Sequence, residues 1–216
     1  MSCAICEKRK EKRFCPAVHG RICAQCCGEQ REVTLDCPSH CVYLQQAREH
    51  EKPRDLRDLD QAALFPQIEI GDQFLYEHEH LILGLTFALA KSARADRGIN
   101  DADLIAALGA ITKTHETLAY SGLHYEAPTT SLSQQTVAAE VQKMLEEYRE
   151  AEAKHLGYSR LRESDVLRAL VFLLRMGYAR TSGRPKARAF VDFVVAQFPE
   201  QPGVAAEDAG SRLIVP

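Results

Sequence analysis

Apolar side chains recur at helical spacing through most of the chain that follows residue 70. In the first such stretch, from about Gly71 to Arg94, one face repeats at intervals of three or four residues. The members of that face are Phe74, His78, Leu81, Leu85 and Leu89. Further helices are predicted from Asn100 or Asp101 to about Leu118, from Ser131 to Gly157, from Glu163 to Met176, and from Pro185 to Phe198. The pattern therefore predicts a mainly α fold built around a bundle of about five helices.

The predicted helix over Glu163–Met176 differs from the others because it is apolar nearly all round. Leu167 and the run Ala169–Leu174 leave it little polar surface, so we expect it in the middle of the bundle. Before residue 65 the chain is more polar. Tyr43–Lys52 is typical of a short polar helix, and Pro53–Gln61 is typical of a charged linker. Strand patterns are scarce apart from an edge segment at Arg31–Leu35.

The composition is that of a soluble globular protein, with 45% hydrophobic and 26% charged residues in a chain of 216. The longest apolar runs, Leu81–Ala90 and Ala169–Leu174, fall short of the ~18 residues of a membrane span, so no membrane insertion is expected. The opening Met1, Ser2 and Cys3 leave no space for a signal peptide, which predicts a cytoplasmic location. In a reducing cytoplasm, clustered cysteines favour metal binding over disulfides.

All eight cysteines lie in the first 41 residues. At least three pairs have the spacing by which a short turn brings two sulfurs onto one zinc ion. These pairs are Cys3 and Cys6, Cys23 and Cys26 or Cys27, and Cys37 and Cys41. Eight thiolates divide into two closed sites of four, so two zinc ions are predicted. The predicted ligands are Cys3, Cys6, Cys15, Cys23, Cys26, Cys27, Cys37 and Cys41, with His19 and His40 as alternates.

The order of these cysteines resembles the two-zinc cross-brace fingers of the HIT, MYND and B-box type. The resemblance covers about 40 residues, and it departs from the HIT pattern just after Pro16, where a Cys would be expected, and at Cys37, where a His is usual. In such fingers the first and third ligand pairs share one ion, and the second and fourth pairs share the other. The resemblance implies one ion held by Cys3, Cys6, Cys23 and either Cys26 or Cys27, and another held by Cys15, Cys37, Cys41 and either the leftover cysteine or His19. It also implies protein–protein contact.

A thiolate-rich set predicts a structural module, because a catalytic zinc keeps an open position and usually has His or carboxylate ligands. Redox chemistry at Cys23 and Cys26 would need a thioredoxin-like strand–helix context, which the flanking sequence does not offer. We therefore divide the chain into a zinc-binding finger (1–45), a short helix with a charged linker (46–64), a helical bundle (65–199) and a C-terminal tail (200–216).

A second cluster of metal-ligating side chains is predicted at one end of the bundle. His78 and His115 come at nearly equal depth in an antiparallel helix pair, with acidic residues near the same level. The cluster comprises Glu77, His78, His115 and Glu140. Helical bundles build metal sites from inward-facing His and carboxylate side chains, so this set would make a metal-dependent enzyme site. The alternative is core histidines that are each satisfied by a neighbouring Glu or carbonyl.

Positive charge is concentrated in two segments, residues 8–13 and 175–188. The candidate anion contacts in the second are Arg175, Arg180, Arg184, Lys186 and Arg188. One interpretation is a phosphate or nucleic-acid contact beside a helix start. The other is that residues 8–13 offset the negative charge of zinc thiolates, while residues 175–188 form a solvated turn that pairs with acidic helices. The pI near 6.2 argues against a dedicated nucleic-acid binder.

The sequence thus favours a non-enzymatic adaptor, in which the zinc finger contacts a protein partner and the bundle offers a second surface. The first alternative is a nucleic-acid-associated regulator that uses residues 8–13 and 175–188. The second is a metal-dependent helical enzyme centred on His78 and His115. The sequence specifies neither the partner nor the oligomeric state.

Overall fold

The structure, a computed structural model, describes residues 1–199, so the predicted tail over 200–216 lies outside the described residues. Strands β1 (Arg13–Cys15) and β2 (Gly20–Ile22) are followed by helices α1 (Ala24–Gln30), α2 (Val42–His50), α3 (Asp72–Glu77), α4 (Glu79–Ala95), α5 (Asp101–Ser121), α6 (Leu132–Leu156), α7 (Glu163–Arg180) and α8 (Ala189–Ala196). Short 3-10 turns occur at Pro16–Val18, Leu56–Asp58 and Gln61–Leu64. The prediction of a mainly α fold is confirmed.

Capping residues set several helix ends where the sequence placed them. The Asn100 side chain accepts from the N–H groups of Ala102 and Asp103, and the Asp103 carboxylate accepts in return from the Asn100 N–H. The Ser131 hydroxyl accepts from Gln134 N–H at the start of α6. Gly157 ends α6 at a φ of 82°, a conformation that suits glycine.

Several helix boundaries differ from the predicted ones, and α7, for example, runs to Arg180 and not to Met176. The helix expected over 71–94 is broken at His78 into α3 and α4. The last helix begins at Ala189, and the prediction that Pro185 lies in its first turn is wrong. The backbone before Ala189 bonds to distant parts of the chain and not within a helix. The Lys186 N–H donates to the Glu32 carbonyl, and the Ala187 carbonyl accepts from the Asp101 N–H.

Helix α7 lies in the middle of the bundle, as its nearly all-round apolar sequence predicted. It packs mainly on α5 and also contacts α4 and α8. Its central side chains Ala169, Leu170, Val171, Leu173 and Leu174 are at most 1% exposed, and Phe172 is half-buried. Gly177 lets it approach its neighbours closely. A Cβ atom there would lie 3.0 Å from both Ile105 Cγ1 and Phe190 Cε1.

We expect Gly177→Ala to lower the free energy of unfolding by about 1–3 kcal/mol, because the added methyl group has no space in a packed core. The matched control is Gly109→Ala in α5, where a Cβ would meet nothing within 4 Å. That control should instead stabilise by about 0.5–1 kcal/mol through helix propensity. Urea unfolding followed by circular dichroism measures both. Equal effects of the two substitutions would contradict the close packing of α7.

The N-terminal 45 residues, here called the cysteine module, contain an antiparallel hairpin that the sequence did not predict. Cys15 at the end of β1 pairs with Gly20 at the start of β2, and the hairpin turns through Pro16–Val18 and His19. Its strands are three residues each, too short to show an alternating pattern. The apolar cluster of this module is separate from that of the bundle.

Polar contacts join the cysteine module to the bundle. The Glu32 carboxylate, whose side chain is 1% exposed, accepts from Arg48 at 2.8 Å and from the Ser182 hydroxyl at 3.2 Å. Arg48 also donates to Asp192 at 2.6 Å, and Asp192 accepts from the Ser39 hydroxyl. We call Glu32, Arg48 and Asp192 the junction network. Within residues 1–199, no helix combines the length and apolar character needed to span a membrane.

Candidate metal centre

Four cysteines of the module converge on one point. The sulfur atoms of Cys3, Cys6, Cys23 and Cys26 all lie within 4.8 Å of one another. A tight turn at the N-terminus, in which Glu7 N–H donates to the Cys3 carbonyl, brings the first two together. Strand β2 leads directly into Cys23, which caps α1, and Cys26 follows one helical turn later. Two sequence-distant pairs are thereby brought together by the hairpin.

The surroundings of these thiols lower the pKa of two of them and raise the pKa of a third. Although burial opposes ionisation of Cys3, backbone N–H groups at Cys6, Cys23 and Ile5 lower its pKa to about 6. The Cys26 N–H donates to Cys23 Sγ at 3.4 Å, and this contact leads in lowering the pKa of Cys23. Burial raises the pKa of Cys26 to about 12, and hydrogen bonds with the other three thiols add to the rise. A bound metal ion would replace the protons of these thiols, because only the thiolate form of cysteine binds metal.

The donor set fits a structural zinc ion. Zinc bound tetrahedrally by four thiolates at about 2.3 Å places its sulfurs about 3.8 Å apart, within the observed 4.8 Å limit. Three of the four thiols are buried and Cys6 is half-buried. Four sulfur ligands close the coordination sphere and leave no position for water or substrate. The Arg9 side chain hydrogen-bonds the Cys23 thiol, and this contact is the largest of several causes that raise the pKa of Arg9. A guanidinium there offsets part of the thiolate charge.

The other four predicted cysteine ligands do not reach the same mutual distance within the described residues. Cys15 and Cys27 are buried in the same apolar cluster, with half-buried Cys37 packed against it. Burial raises the pKa of Cys37, and the nearby thiols of Cys15 and Cys41 raise it further. The alternates His19 and His40 are exposed. The structure therefore shows one set of four cysteines that could hold a metal ion, and the second predicted site remains a prediction.

Cys27 has different neighbours from Cys26. Its Sγ accepts from Arg13 Nη1 at 3.6 Å and from Arg31 Nη2 at 3.9 Å. The sequence left Cys26 and Cys27 as alternatives for the first set, and the geometry selects Cys26. Arg13 also stacks on the Tyr43 ring, 4.6 Å from its centroid. Part of the basic segment 8–13 thus packs against the cysteines.

The predicted Glu/His cluster of the bundle does not form a shared site in residues 1–199. Each member bonds elsewhere: His115 Nδ1 lies 2.8 Å from Glu163, His78 Nδ1 lies 3.1 Å from the Phe74 carbonyl, Glu77 accepts from Gln73, and Glu140 accepts from Lys91. The acidic first turn of α7 explains the difference, because it supplies Glu163 to His115 and Asp165 to His78. Each histidine has a neighbouring acceptor, although the buried Nε2 atom of His115 has no hydrogen-bond partner among residues 1–199.

Three of the five predicted anion contacts each donate at least two hydrogen bonds within the chain. Arg175 donates to the carbonyls of Leu64, Phe65 and Ile68, which anchors the segment before α3. Lys186 donates to the Thr34 carbonyl and to Asp36, while Arg188 donates to the carbonyls of Arg97 and Ile99. These hydrogen bonds give the three side chains a structural role, and their contact with nucleic acid stays a prediction. Backbone carbonyls leave no signal in a sequence, so these partners could not be anticipated.

The remaining two, Arg180 and Arg184, lie beside the junction network. The Arg180 guanidinium stacks on Phe193, 3.6 Å from the ring centroid. Arg184 donates to the Arg31 carbonyl at 3.1 Å, and one of its nitrogens is 4.0 Å from Glu51.

Comparison with protein-family models, with curated protein sequences and with solved structures finds no match.

Proposed function

We propose that this protein is a structural zinc protein that acts as an adaptor between protein partners. The observation that carries the proposal is the convergence of Cys3, Cys6, Cys23 and Cys26 on one point. Four sulfurs supply a closed, stabilising site and no reactive position. The Glu/His residues that would have favoured an enzyme are bonded to separate partners. The best-supported role is therefore to hold a small surface in a fixed shape.

The proposal includes a second zinc ion held by Cys15, Cys27, Cys37 and Cys41. Its support is the order of the ligands, because Cys15 lies in sequence between the two pairs of the first set and is excluded from it. This alternation is the arrangement that the cross-brace resemblance implies. The burial of Cys15 and Cys27, with Cys37 against the same cluster, is consistent with it.

The hairpin is the candidate contact surface. Phe14 on β1 is 55% exposed although it lies on a short strand between two cysteine-bearing segments. Val18 at the turn is also exposed. Since Cys15 ends β1 and Cys23 directly follows β2, metal binding would fix the orientation of both side chains. An exposed aromatic residue on a rigid scaffold is typical of a protein-contact residue.

Quantitative affinity purification of the tagged full chain, produced in its own cells, tests the adaptor role. We expect a reproducible set of proteins that is lost with Phe14→Ser/Val18→Ser and kept with the control Val33→Ser, another exposed valine of the module. Zinc content measured on all three proteins separates loss of contact from loss of the metal. Recovery of nucleic acid instead of proteins, or a protein set unaffected by the hairpin variant, would contradict the proposal.

A further inference from the structure

A cavity of about 780 Å³ lies between the end of α2 and the end of α7. One wall is the end of α2 with the segment that follows it, residues 51–54. The other wall is the end of α7, the loop after it and the start of α8. Its volume is within the range of small-molecule sites, about 300–1,000 Å³.

Positive charge dominates the lining of this cavity. It contains five cationic side chains, Arg48, Lys52, Arg54, Arg180 and Arg184, against one acidic side chain, Glu51. The sequence pointed only to Arg180 and Arg184. The others come from residues 46–64, which were predicted to be a polar helix and a linker.

Three of these cations are not neutralised by any carboxylate of residues 1–199. Arg48 is bound by Glu32 and Asp192, and Arg184 is within 4.0 Å of Glu51. By contrast, Lys52, Arg54 and Arg180 have no carboxylate within 4.0 Å among residues 1–199. Cations that line one concave surface repel each other and attract an anion.

Two of them, Arg54 and Arg180, make no hydrogen bond or ion pair with residues 1–199, so their N–H donors are available to a ligand. The Arg180 guanidinium stacks on the face of the Phe193 ring, and this contact uses none of the N–H groups of Arg180. The Arg54 guanidinium lies against the backbone of Gly183, so close that a Cβ there would be 2.8 Å from Arg54 Nη1. Gly183 has a φ of 71°, which fixes the loop that carries this contact. Planar guanidinium groups match the oxygens of phosphate.

We propose that this cavity binds a small molecule with two or more adjacent phosphate groups. Lys52, Arg54 and Arg180 bind the phosphates, and Arg184 borders them. Met176 and Ala179 form an apolar patch on the same wall, against which the organic part of the ligand packs. The limited size of the cavity favours a small phosphorylated compound over a nucleic-acid strand, which would need a continuous track. This binding activity is separate from the adaptor role and does not depend on it.

Isothermal titration calorimetry of the zinc-loaded full chain, with inorganic pyrophosphate and tripolyphosphate as probes, tests the proposal. We expect one saturable site per chain that binds tripolyphosphate more tightly. Lys52→Ala/Arg54→Ala should weaken binding at least about tenfold, because two charge-assisted bonds are lost. The matched control is Lys113→Ala/Lys154→Ala, which removes two positive charges from exposed positions on α5 and α6. It should change the affinity less than about twofold.

Three results would overturn the proposal. The first is no saturable heat with either probe at millimolar concentration. The second is equal weakening by the cavity variant and the control, which would indicate only diffuse attraction. The third is tighter binding of a single-stranded oligonucleotide that is also lost in the cavity variant, since that would identify a nucleic-acid surface. Zinc content measured after titration excludes metal stripping, and Lys52→Gln/Arg54→Gln repeats the test if the alanine variant loses helicity.

Discussion

Cys26→Ser should release one metal ion per chain and unfold the cysteine module, while helices α4–α8 persist. The module's own apolar cluster contains few side chains other than the cysteines, so burial alone cannot hold it. Structural zinc typically supplies about 10–16 kcal/mol in segments of this size, which makes its loss the largest single effect we expect. Native mass spectrometry counts the metal, and amide chemical-shift dispersion reports the fold of each part.

The neighbouring Cys27→Ser is the matched control for the first site, because Cys27 lies outside the converging set and contacts Arg13 and Arg31. It should leave the ion at Cys3, Cys6, Cys23 and Cys26 in place. If the second zinc site exists, Cys27→Ser loses a different ion, and the double variant loses both. Full metal content in Cys26→Ser would refute the assignment of the first site.

Local signals in the sequence account for the parts of the fold that were predicted well. The starts of α5 and α6 are set by Asn100 and Ser131, whose side chains bond their own helix, so no distant partner is needed to place them. Gly157 ends α6 for a similarly local reason. The central position of α7 follows from its apolar surface alone.

Features that depend on distant partners could not be predicted. Cys26 and Cys27 both lie about one turn after Cys23, and only the packing of α1 against the N-terminal turn decides which one joins Cys3 and Cys6. Arg175 looked like a surface cation, but it donates to three carbonyls about 110 residues away in sequence. Glu32 carried no signal, because a single acidic residue in a polar segment looks solvated until its partners are known.

The second large effect is expected on the free energy of unfolding when the junction network is broken. We expect Arg48→Ala to lower the free energy of unfolding by about 3–5 kcal/mol, because it leaves the Glu32 carboxylate buried without its counter-ion. The double variant Glu32→Gln/Arg48→Met should recover much of that loss, since it removes the buried charge together with its partner. Chemical unfolding of the zinc-loaded chain measures both, and the metal content shows that the cysteine site is not the part affected.

An exposed ion pair provides the comparison that makes this result specific. Arg57 pairs with Asp55 at 2.6 Å, as closely as Arg48 pairs with Asp192, yet the Arg57 side chain is 89% exposed. Arg57→Ala should therefore leave the free energy of unfolding unchanged within error, because water replaces the lost partner. A cost for Arg48→Ala no larger than that for Arg57→Ala would mean that burial of Glu32 does not couple the cysteine module to the bundle. A large cost confined to Arg48→Ala would show that the buried Glu32 charge and its partner stabilise the contact between the two parts.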